Sequence, residues 1–491
     1  MLTKIRTFIQ ELNAHDITYC HWKSNFSLAE ALSGRTDIDL LIHRKDANLF
    51  RTVLSQLQFR PAIATDGDTF PSVEHYYALD EESGILIHVH AYYRVITGES
   101  LAKNYHLPIE EMLLQNTREV DSVRLPVKSA ELVVFTLRMM LKHTTPMELI
   151  MLARYWKEVQ HEINWLLESG STDETLGLVN CWLPPVDADL FSNCITALKS
   201  PSTLFRRMML GRQLRSQLKP YARHSPLRAW LIGFQKFVIM FFRRLIKSHK
   251  GMVPRGGGAV IAFVGSEATG KSTLISEMRE WLGEHFSVKQ IHAGKPKATI
   301  LTVVPNLLLP SLRALFPTAR TTNVESQQIP KEPAEKSSSR YPLIFAIRSA
   351  LLAYDRRALL TRAYSQAANG TIILCDRYPS SQSGTPDSPQ LSHLPVSPKR
   401  NSLRNLLARI EERMYREIPA ADLIIYLNAP LAITLARNAS RGKREPEDYV
   451  RRRHARSSNL EFGETPVHKI NTDQPFGQTV FEVKKAIWEA L

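Results

Sequence analysis

Apolar residues along this chain follow three distinct rhythms, and each predicts a different kind of element. "MLTKIRTFIQELNAH" places Ile5, Phe8, Ile9 and Leu12 three and four residues apart, which predicts an amphipathic helix. "DIDLLIH" and "GILIHVHAYYRV", the second entered through the turn "DEESG", are short and apolar and predict buried strands. From Ser129, "SAELVVFTLRMMLKHTTPMELIMLARYWKEVQHEINWLLES" returns to helical spacing and predicts packed helices, with Met139, Met140 and Met147 as core. After residue 256 the rhythm alternates. "AVIAFVG", "TIILCD" and "ADLIIYLN" are apolar runs bounded by turns, separated by helical patterns, and "VHKIN" adds a last short strand before a closing amphipathic helix. Strands alternating with helices predict a parallel sheet flanked by helices. The expected fold is α/β for 256–491, preceded by an α+β core over 1–125, a helical companion over 126–200 and a connector over 201–255.

The connector changes the picture through its charge. Most of the net +15 arises there: from Leu190 to Ser266 there are fourteen Lys or Arg and no Asp or Glu. Within it, Trp230 to Phe242 is an apolar run broken only by Gln235 and Lys236, with Arg228 before it and Arg243, Arg244 and Lys247 after. That run is shorter than the ~18 residues a membrane span needs. Bulky apolar residues flanked by basic ones suit an interfacial helix, so 227–250 is a candidate contact with anionic lipid, the alternative being a core helix between domains. Nucleic acid is a weaker reading, because the aromatic residues sit in an apolar block rather than between the charges. Four cysteines without close pairing suggest neither disulfides nor a cysteine zinc site. With no signal peptide pattern at the N-terminus, the expected location is cytoplasmic, peripheral at the inner membrane face if the connector binds lipid.

The candidate chemistry centres on "FVGSEATGKSTL". It fits G-x-x-x-x-G-K-[ST] at Gly265, Gly270, Lys271 and Ser272, between a predicted strand and a predicted helix. Backbone N–H groups of Gly265, Ser266, Ala268, Thr269, Gly270, Lys271, Ser272 and Thr273 are placed to cradle phosphates at the helix N-terminus. Lys271 would reach the β/γ-phosphates of ATP, and the Ser272 hydroxyl would ligate Mg²⁺. Asp376, Arg377 and Tyr378 follow at a strand's carboxyl end, where open α/β sheets bind ligands. There Asp376 suits the Mg²⁺ shell and Arg377 a phosphate clamp. Arg437, Arg441, Lys443 and Arg444 form a basic cluster farther on.

Phosphate loop, Asp-Arg-Tyr, basic lid and final strand-turn-helix together resemble the thymidylate kinase family of nucleoside monophosphate kinases, over about 256–491. The resemblance implies an ATP- and Mg²⁺-dependent phosphotransferase. It implies that Glu267, inside the loop, faces a hydroxyl of the acceptor, and that Arg356, twenty residues before Asp376, binds the acceptor. It also implies that Arg437, Arg441 and Arg444 close over the transferred group, where fixed positive charge stabilises developing charge. Two departures put dTMP in doubt. Leu352 stands where family members commonly carry a stacking aromatic, and "IHAGKPKATI", with Lys295, replaces an Arg-containing segment. The polar stretch 321–341 is expected to be disordered, and 380–402 to cover the acceptor. An Asp-Arg-Tyr-Pro run with "GKP" after the second strand is similar to thymidylate-kinase-like proteins associated with bacterial polysaccharides, which implies a sugar or sugar phosphate acceptor.

The N-terminal half resembles the nucleotidyltransferase superfamily through Ser24 and, thirteen residues on, Asp37 and Asp39, two carboxylates on one face of a strand. Such a pair suits divalent metal. Lys23 stands where that pattern has glycine, and His88 and His90 stand where a third acid is expected. Active nucleotidyl transfer is therefore the lesser expectation, and a degenerate binding fold the greater. Two rivals to the kinase reading remain: a nucleotide-gated ATP-binding regulator, and a nucleotidyltransferase served by the kinase half. The acceptor's identity and the oligomeric state have no signature in the sequence.

Overall fold

The computed structural model describes the chain except residues 66–69, 71, 100, 143–154, 169, 200–202, 246–250, 301, 304–342, 386, 394–402, 441–444 and 458–459. It divides into two compact units, Met1–His249 and Lys250–Leu491, a division that falls inside the connector at 201–255.

In the first unit, strands β1 (Tyr19–His21), β2 (Ile38–Ile42), β3 (Arg60–Ala64), β4 (Val73–Leu79) and β5 (Leu86–Tyr92) are ordered β1-β2-β5-β4-β3. The β2–β5 pair is parallel and the other pairs antiparallel. Side chains alternate across a strand, so the two faces carry different chemistry. Leu40, Ile42, Ile87 and Val89 join a core with Ile5, Phe8, Ile9 and Leu12 of helix α1 (Thr3–Ala14). On the opposite face, Leu41 and Tyr92 pack into a second core with helix α2 (Lys128–Lys142), which also buries Met139 and Met140. Met147 lies outside the described residues. The pleat that sends Leu41 to α2 sends Asp37 and Asp39 to the same face, with His88 and His90 beside them.

The connector's apolar run forms a single helix, α3 (Pro226–Leu245). Within the first unit, Leu227, Trp230, Leu231, Phe234, Phe241 and Phe242 of this helix are exposed, Trp230 to 62%. No helix among the described residues is long and apolar enough to cross a membrane.

Among the described residues, the main sheet of the second unit has five strands, β6 (Val260–Gly265), β7 (Val288–His292), β8 (Ile372–Asp376), β9 (Leu423–Asn428) and β10 (Val467–Asn471). Their order is β7-β8-β6-β9-β10 and every pair is parallel. Parallel sheets are covered on both faces and their strands read as continuous apolar runs. Here Val260, Ala262 and Val264 pack with Leu360, Ala363 and Ala367 of helix α5 (Leu343–Ala368), while Ile261 and Phe263, pointing the other way, are equally buried. Helix α4 (Lys271–Gly283) follows the loop after β6 and packs along β6, β7 and β8. Helices α6 (Leu403–Arg416), α7 (Leu431–Ala439), α8 (Glu447–Ser457) and α9 (Phe476–Ala490) complete the unit. The α/β fold expected for 256–491 is present. The stretch 321–341 lies outside the described residues.

Candidate active site

The loop between β6 and α4 turns on residues whose backbone needs no Cβ or tolerates strain. Gly265 has φ of 141° and a Cβ there would sit 2.3 Å from the Leu427 carbonyl oxygen, so nothing larger fits. Gly270, at φ 87°, is the cap from which α4 starts. Lys271 is buried, and its ammonium folds back to donate to the carbonyls of Gly265 (3.1 Å) and Ser266 (2.5 Å). Thr269 donates from its hydroxyl to Ser266 O at 2.9 Å. The carbonyls are thereby tied inward and the loop is held in shape. Ser272, in the first turn of α4, is exposed.

Glu267 has partners that sequence alone did not reveal. Its Oε1 accepts from Arg377 Nη2 at 3.1 Å and forms an ion pair with Arg453 Nε at 3.1 Å. Arg377 lies just past β8 at φ 70°, and its other arm reaches Asp387 Oδ2 at 3.4 Å. Burial pulls the Arg377 pKa down, but Asp387, Glu267 and Asp376 outweigh it and raise it above the ordinary value. Arg453 projects from α8 and is further fixed by a bond to Tyr449 Oη at 2.8 Å. A carboxylate inside a phosphate loop is thus balanced by two guanidiniums from distant segments.

Arg356 is placed otherwise than expected. It is 2% exposed. Its Nε donates to Ala293 O at 2.8 Å, Nη2 to Asp387 Oδ1 at 3.0 Å, and Nη1 to Asp387 O at 3.0 Å and to the Tyr415 hydroxyl. Four of the five N–H bonds a guanidinium offers are spent on the protein itself. Tyr378 is also inward, its hydroxyl donating to Pro419 O. Lys295 is exposed on the segment after β7. Gly294 permits a close approach there: a Cβ would lie 2.4 Å from Arg377 Cδ. The described part of 380–402 docks through Asp387 on both arginines.

Asp376 closes β8 opposite Phe263 of β6, two residues before the loop begins. Its Oδ1 is buried and has no hydrogen-bond partner among the described residues, and Oδ2 lies 3.9 Å from His292 Nε2. An orphaned carboxylate oxygen at the end of the strand beside the phosphate loop is a hard, anionic donor, and Asp376 together with the Ser272 hydroxyl is a donor chemistry that fits Mg²⁺. Arg437 donates to Thr472 O (2.7 Å) and Thr472 Oγ1 (3.2 Å). It lines a cavity of about 290 Å³ with Ala268, Thr269, Gly270, Thr273 and Gln474. Arg441, Lys443 and Arg444 lie outside the described residues. Sequence reasoning missed Arg453 and Asp387. Arg453 sits in the run "VRRRHAR", where basic residues are too many to rank.

The first unit gathers the residues on the sheet face that also carries Leu41 and Tyr92. Asp37 Oδ1 accepts from His88 Nδ1 at 2.8 Å and Asp39 Oδ1 from His90 Nδ1 at 3.1 Å, and Lys23 Nζ forms an ion pair with Asp39 Oδ1 at 2.9 Å. Lys23 also bonds Tyr92 Oη at 3.0 Å. Burial opposes ionisation of Asp39, yet Lys23 and His90 outweigh it and hold its pKa well below the carboxylate range; Asp37 is lowered likewise, mainly by His88. Both carboxylates are therefore occupied as acceptors, and Lys23 supplies a positive charge where an Asp-x-Asp metal site has none. His75 of β4 joins the group beside His88 and His90, its pKa pushed down to about 3, chiefly by burial and then by the two neighbouring imidazoles.

Comparison with known proteins adds the following. No protein-family profile matches the chain. It is 23% identical over 235 residues to the uncharacterized ATP-binding protein YghR of Escherichia coli (strain K12), a match covering 46% of this chain and 86% of YghR; YghR of strain O6:H1 matches equally. Among solved structures, the deoxyadenosine kinase of M. mycoides with bound dATP aligns at 15% identity and TM-score 0.25, covering 46% of this chain and 97% of that one. The thymidylate kinase of Candida albicans aligns at 15% identity and TM-score 0.25, covering 48% and 90%. A sugar kinase of Janibacter sp. HTCC2649 aligns at 14% and 0.24, covering 47% and 94%. The fold assignment rests on the chain's own strand order and loop, not on these alignments.

Proposed function

We propose that the second unit transfers a phosphoryl group from ATP to a small molecule bearing a hydroxyl or phosphate, with Mg²⁺. The observation that carries this reading is the loop with its surroundings: Lys271 and the α4 N-terminus on one side, Arg377 and Arg453 gathered on Glu267 on the other. Such transfer needs positioning and charge neutralisation rather than covalent catalysis. Backbone N–H groups of the loop hold the donor phosphates, and Lys271 exchanges its loop carbonyls for phosphate oxygen. The cavity beside Arg437 and Thr472 suits a nucleobase, being at the lower end of the size range of ligand pockets. Ser272 and Asp376 would hold Mg²⁺, which would supply positive charge to offset that of the phosphates. Arg377 and Arg453 turn from Glu267 to the acceptor or the transferred group, leaving the carboxylate to receive an acceptor hydroxyl. The resemblance to ATP-binding YghR in a partial alignment is compatible with an ATP donor. The departures at Leu352 and "HAGKPK" favour a sugar or sugar phosphate over dTMP.

The test is incubation of the purified chain with labelled ATP and a panel of nucleotides, sugars and sugar phosphates, beside Lys271→Ala. A labelled acceptor with wild type and none with the folded variant is the expected result. Unchanged turnover in the variant, or an adenylylated product, overturns the reading.

The exposed aromatic face of α3 favours one addition: peripheral attachment to an anionic membrane through 227–250. Trp230 and Phe234 stack at 5.4 Å between ring centres on that face, with Arg228 and Lys236 on the same helix.

A further inference from the structure

The sheet face of the first unit that carries Asp37 and Asp39 also holds three part-buried imidazoles that the kinase reading does not use. His75 of β4 is paired in register with His90 of β5, and His88 lies two residues before His90 on the same face. One nitrogen from each of His75, His88 and His90 can be chosen so that all three lie within 4.8 Å of one another. The closest pair, His75 Nδ1 and His88 Nε2, is 3.2 Å apart. Two nitrogens bound to one tetrahedral ion at the usual 2.0–2.1 Å would stand about 3.4 Å apart, so this spacing already matches shared coordination.

The second observation is what lies behind the rings. Metal-bound histidines usually donate their other N–H to a carboxylate, which fixes tautomer and orientation. His88 gives Nδ1–H to Asp37 at 2.8 Å, and His90 gives Nδ1–H to Asp39 at 3.1 Å. Each carboxylate thus leaves Nε2 as the nitrogen presented to the cluster. Asp39 is itself held by Lys23, and the His88 ring is stacked on Tyr77 at 4.1 Å and 10°. The expectation from sequence had Asp37 and Asp39 as ligands to a hard ion; the geometry makes them the supports of imidazole ligands instead.

We propose that His75, His88 and His90 form a binding site for a divalent transition ion, Zn²⁺ above all, with Asp37 and Asp39 as orienting partners. Three neutral imidazoles suit Zn²⁺ and disfavour Mg²⁺, which wants oxygen. Before binding, His88 Nε2 must accept from His75 Nδ1–H, since His88 Nδ1 is the protonated nitrogen. On binding, both lone pairs go to the ion and the His75 proton moves to its own Nε2. No proton need leave the protein. Three protein ligands leave a fourth position for water, the arrangement of catalytic rather than structural zinc sites.

The experiment uses the full chain, stripped by chelator dialysis. Titration calorimetry with Zn²⁺ should give one equivalent bound at micromolar or tighter affinity, undisturbed by millimolar Mg²⁺. Co²⁺ should give the intense visible bands of a tetrahedral centre, a readout that needs no variant. His75→Gln and His90→Gln should weaken Zn²⁺ by at least about 100-fold, and Asp37→Asn, which leaves all three ligands, by about 10- to 100-fold. Should a histidine variant fail to fold, the Co²⁺ spectrum and Asp37→Asn decide. Absence of saturable Zn²⁺ binding, a pale octahedral Co²⁺ spectrum, or folded variants that bind like wild type would overturn the site. Failure here leaves the kinase reading untouched, because that rests on the other unit.

Discussion

Replacing Arg356 with methionine separates two roles for this residue: holder of the fold, or reader of the acceptor. The side chain is 2% exposed and ties together β7's exit at Ala293, the loop at Asp387 and Tyr415 of α6. Methionine fills much of the volume but donates nothing. Asp387 would lose its partner at 3.0 Å while keeping only the longer contact to Arg377 at 3.4 Å, and two carbonyls would lose their donors. Breaking a buried ion pair from one side costs about 3–5 kcal/mol. Against a total of about 5–15 kcal/mol for a domain, that removes about a fifth or more of the stability. For a unit of this size, each kcal/mol moves Tm by about 2–4 °C, so the shift should be about 6–20 °C downward. Scanning calorimetry of wild type and Arg356→Met measures it, with initial rates of ATP turnover taken well below the new midpoint. If Tm falls by less than about 2 °C while KM for the acceptor rises sharply, Arg356 faces the ligand and the burial argument is wrong.

Other outcomes follow from the same geometry. Gly294→Ala puts a methyl 2.4 Å from Arg377 Cδ, so steady-state kinetics should show at least a tenfold loss in kcat/KM from displacement of that guanidinium, roughly the effect of a small misplacement. dTMP should be a poor acceptor; a saturable preference for it, at an ordinary efficiency of about 10⁴ M⁻¹s⁻¹ or more, would refute the rebuilt acceptor side. The full chain should pellet with vesicles containing phosphatidylserine at least about tenfold more tightly than with phosphatidylcholine alone, less so in high salt. Trp230→Ser with Phe234→Ser and Phe241→Ser should abolish that binding without lowering Tm, since all three rings are exposed.

What was legible in the sequence is what is local in the chain. Gly265, Gly270 and Lys271 lie within seven residues of one another, and strand, loop and helix follow from alternation and spacing. The fate of Glu267 was not legible, because its partners stand 110 residues away at Arg377 and farther still at Arg453. The family resemblance picked out Arg356 but not the direction of its side chain, which is set by Asp387, a residue in a loop with φ of 65° and no pattern of its own. His88 and His90 were visible as a same-face pair. His75 was not, although the signal existed: in "EHYYALDEESGILIHVH" the turn at Asp80–Gly84 folds His75 and Tyr77 back across from His90 and His88.

The negative charge in the phosphate loop makes sense once strand order is considered. β6 is central, with β8 on one side and β9 on the other. Ligands of open α/β sheets sit at the carboxyl ends of the strands, where the order changes direction, and the loop after β6 is that place. Groups needed for phosphate chemistry must come from both sides of it. Arg377 arrives from the end of β8, and Arg453 from α8, which follows β9. Neither would stay at the mouth of the loop by packing alone, since two like charges repel and both side chains are long. Glu267 gives each a partner at 3.1 Å on a single oxygen, so one carboxylate draws both guanidiniums to the edge of the donor site. Under the proposed phosphoryl transfer, an incoming phosphate would compete for cations already gathered, at less cost in side-chain order than if it had to collect them itself. The acid thus assembles the basic site from the two halves of the sheet.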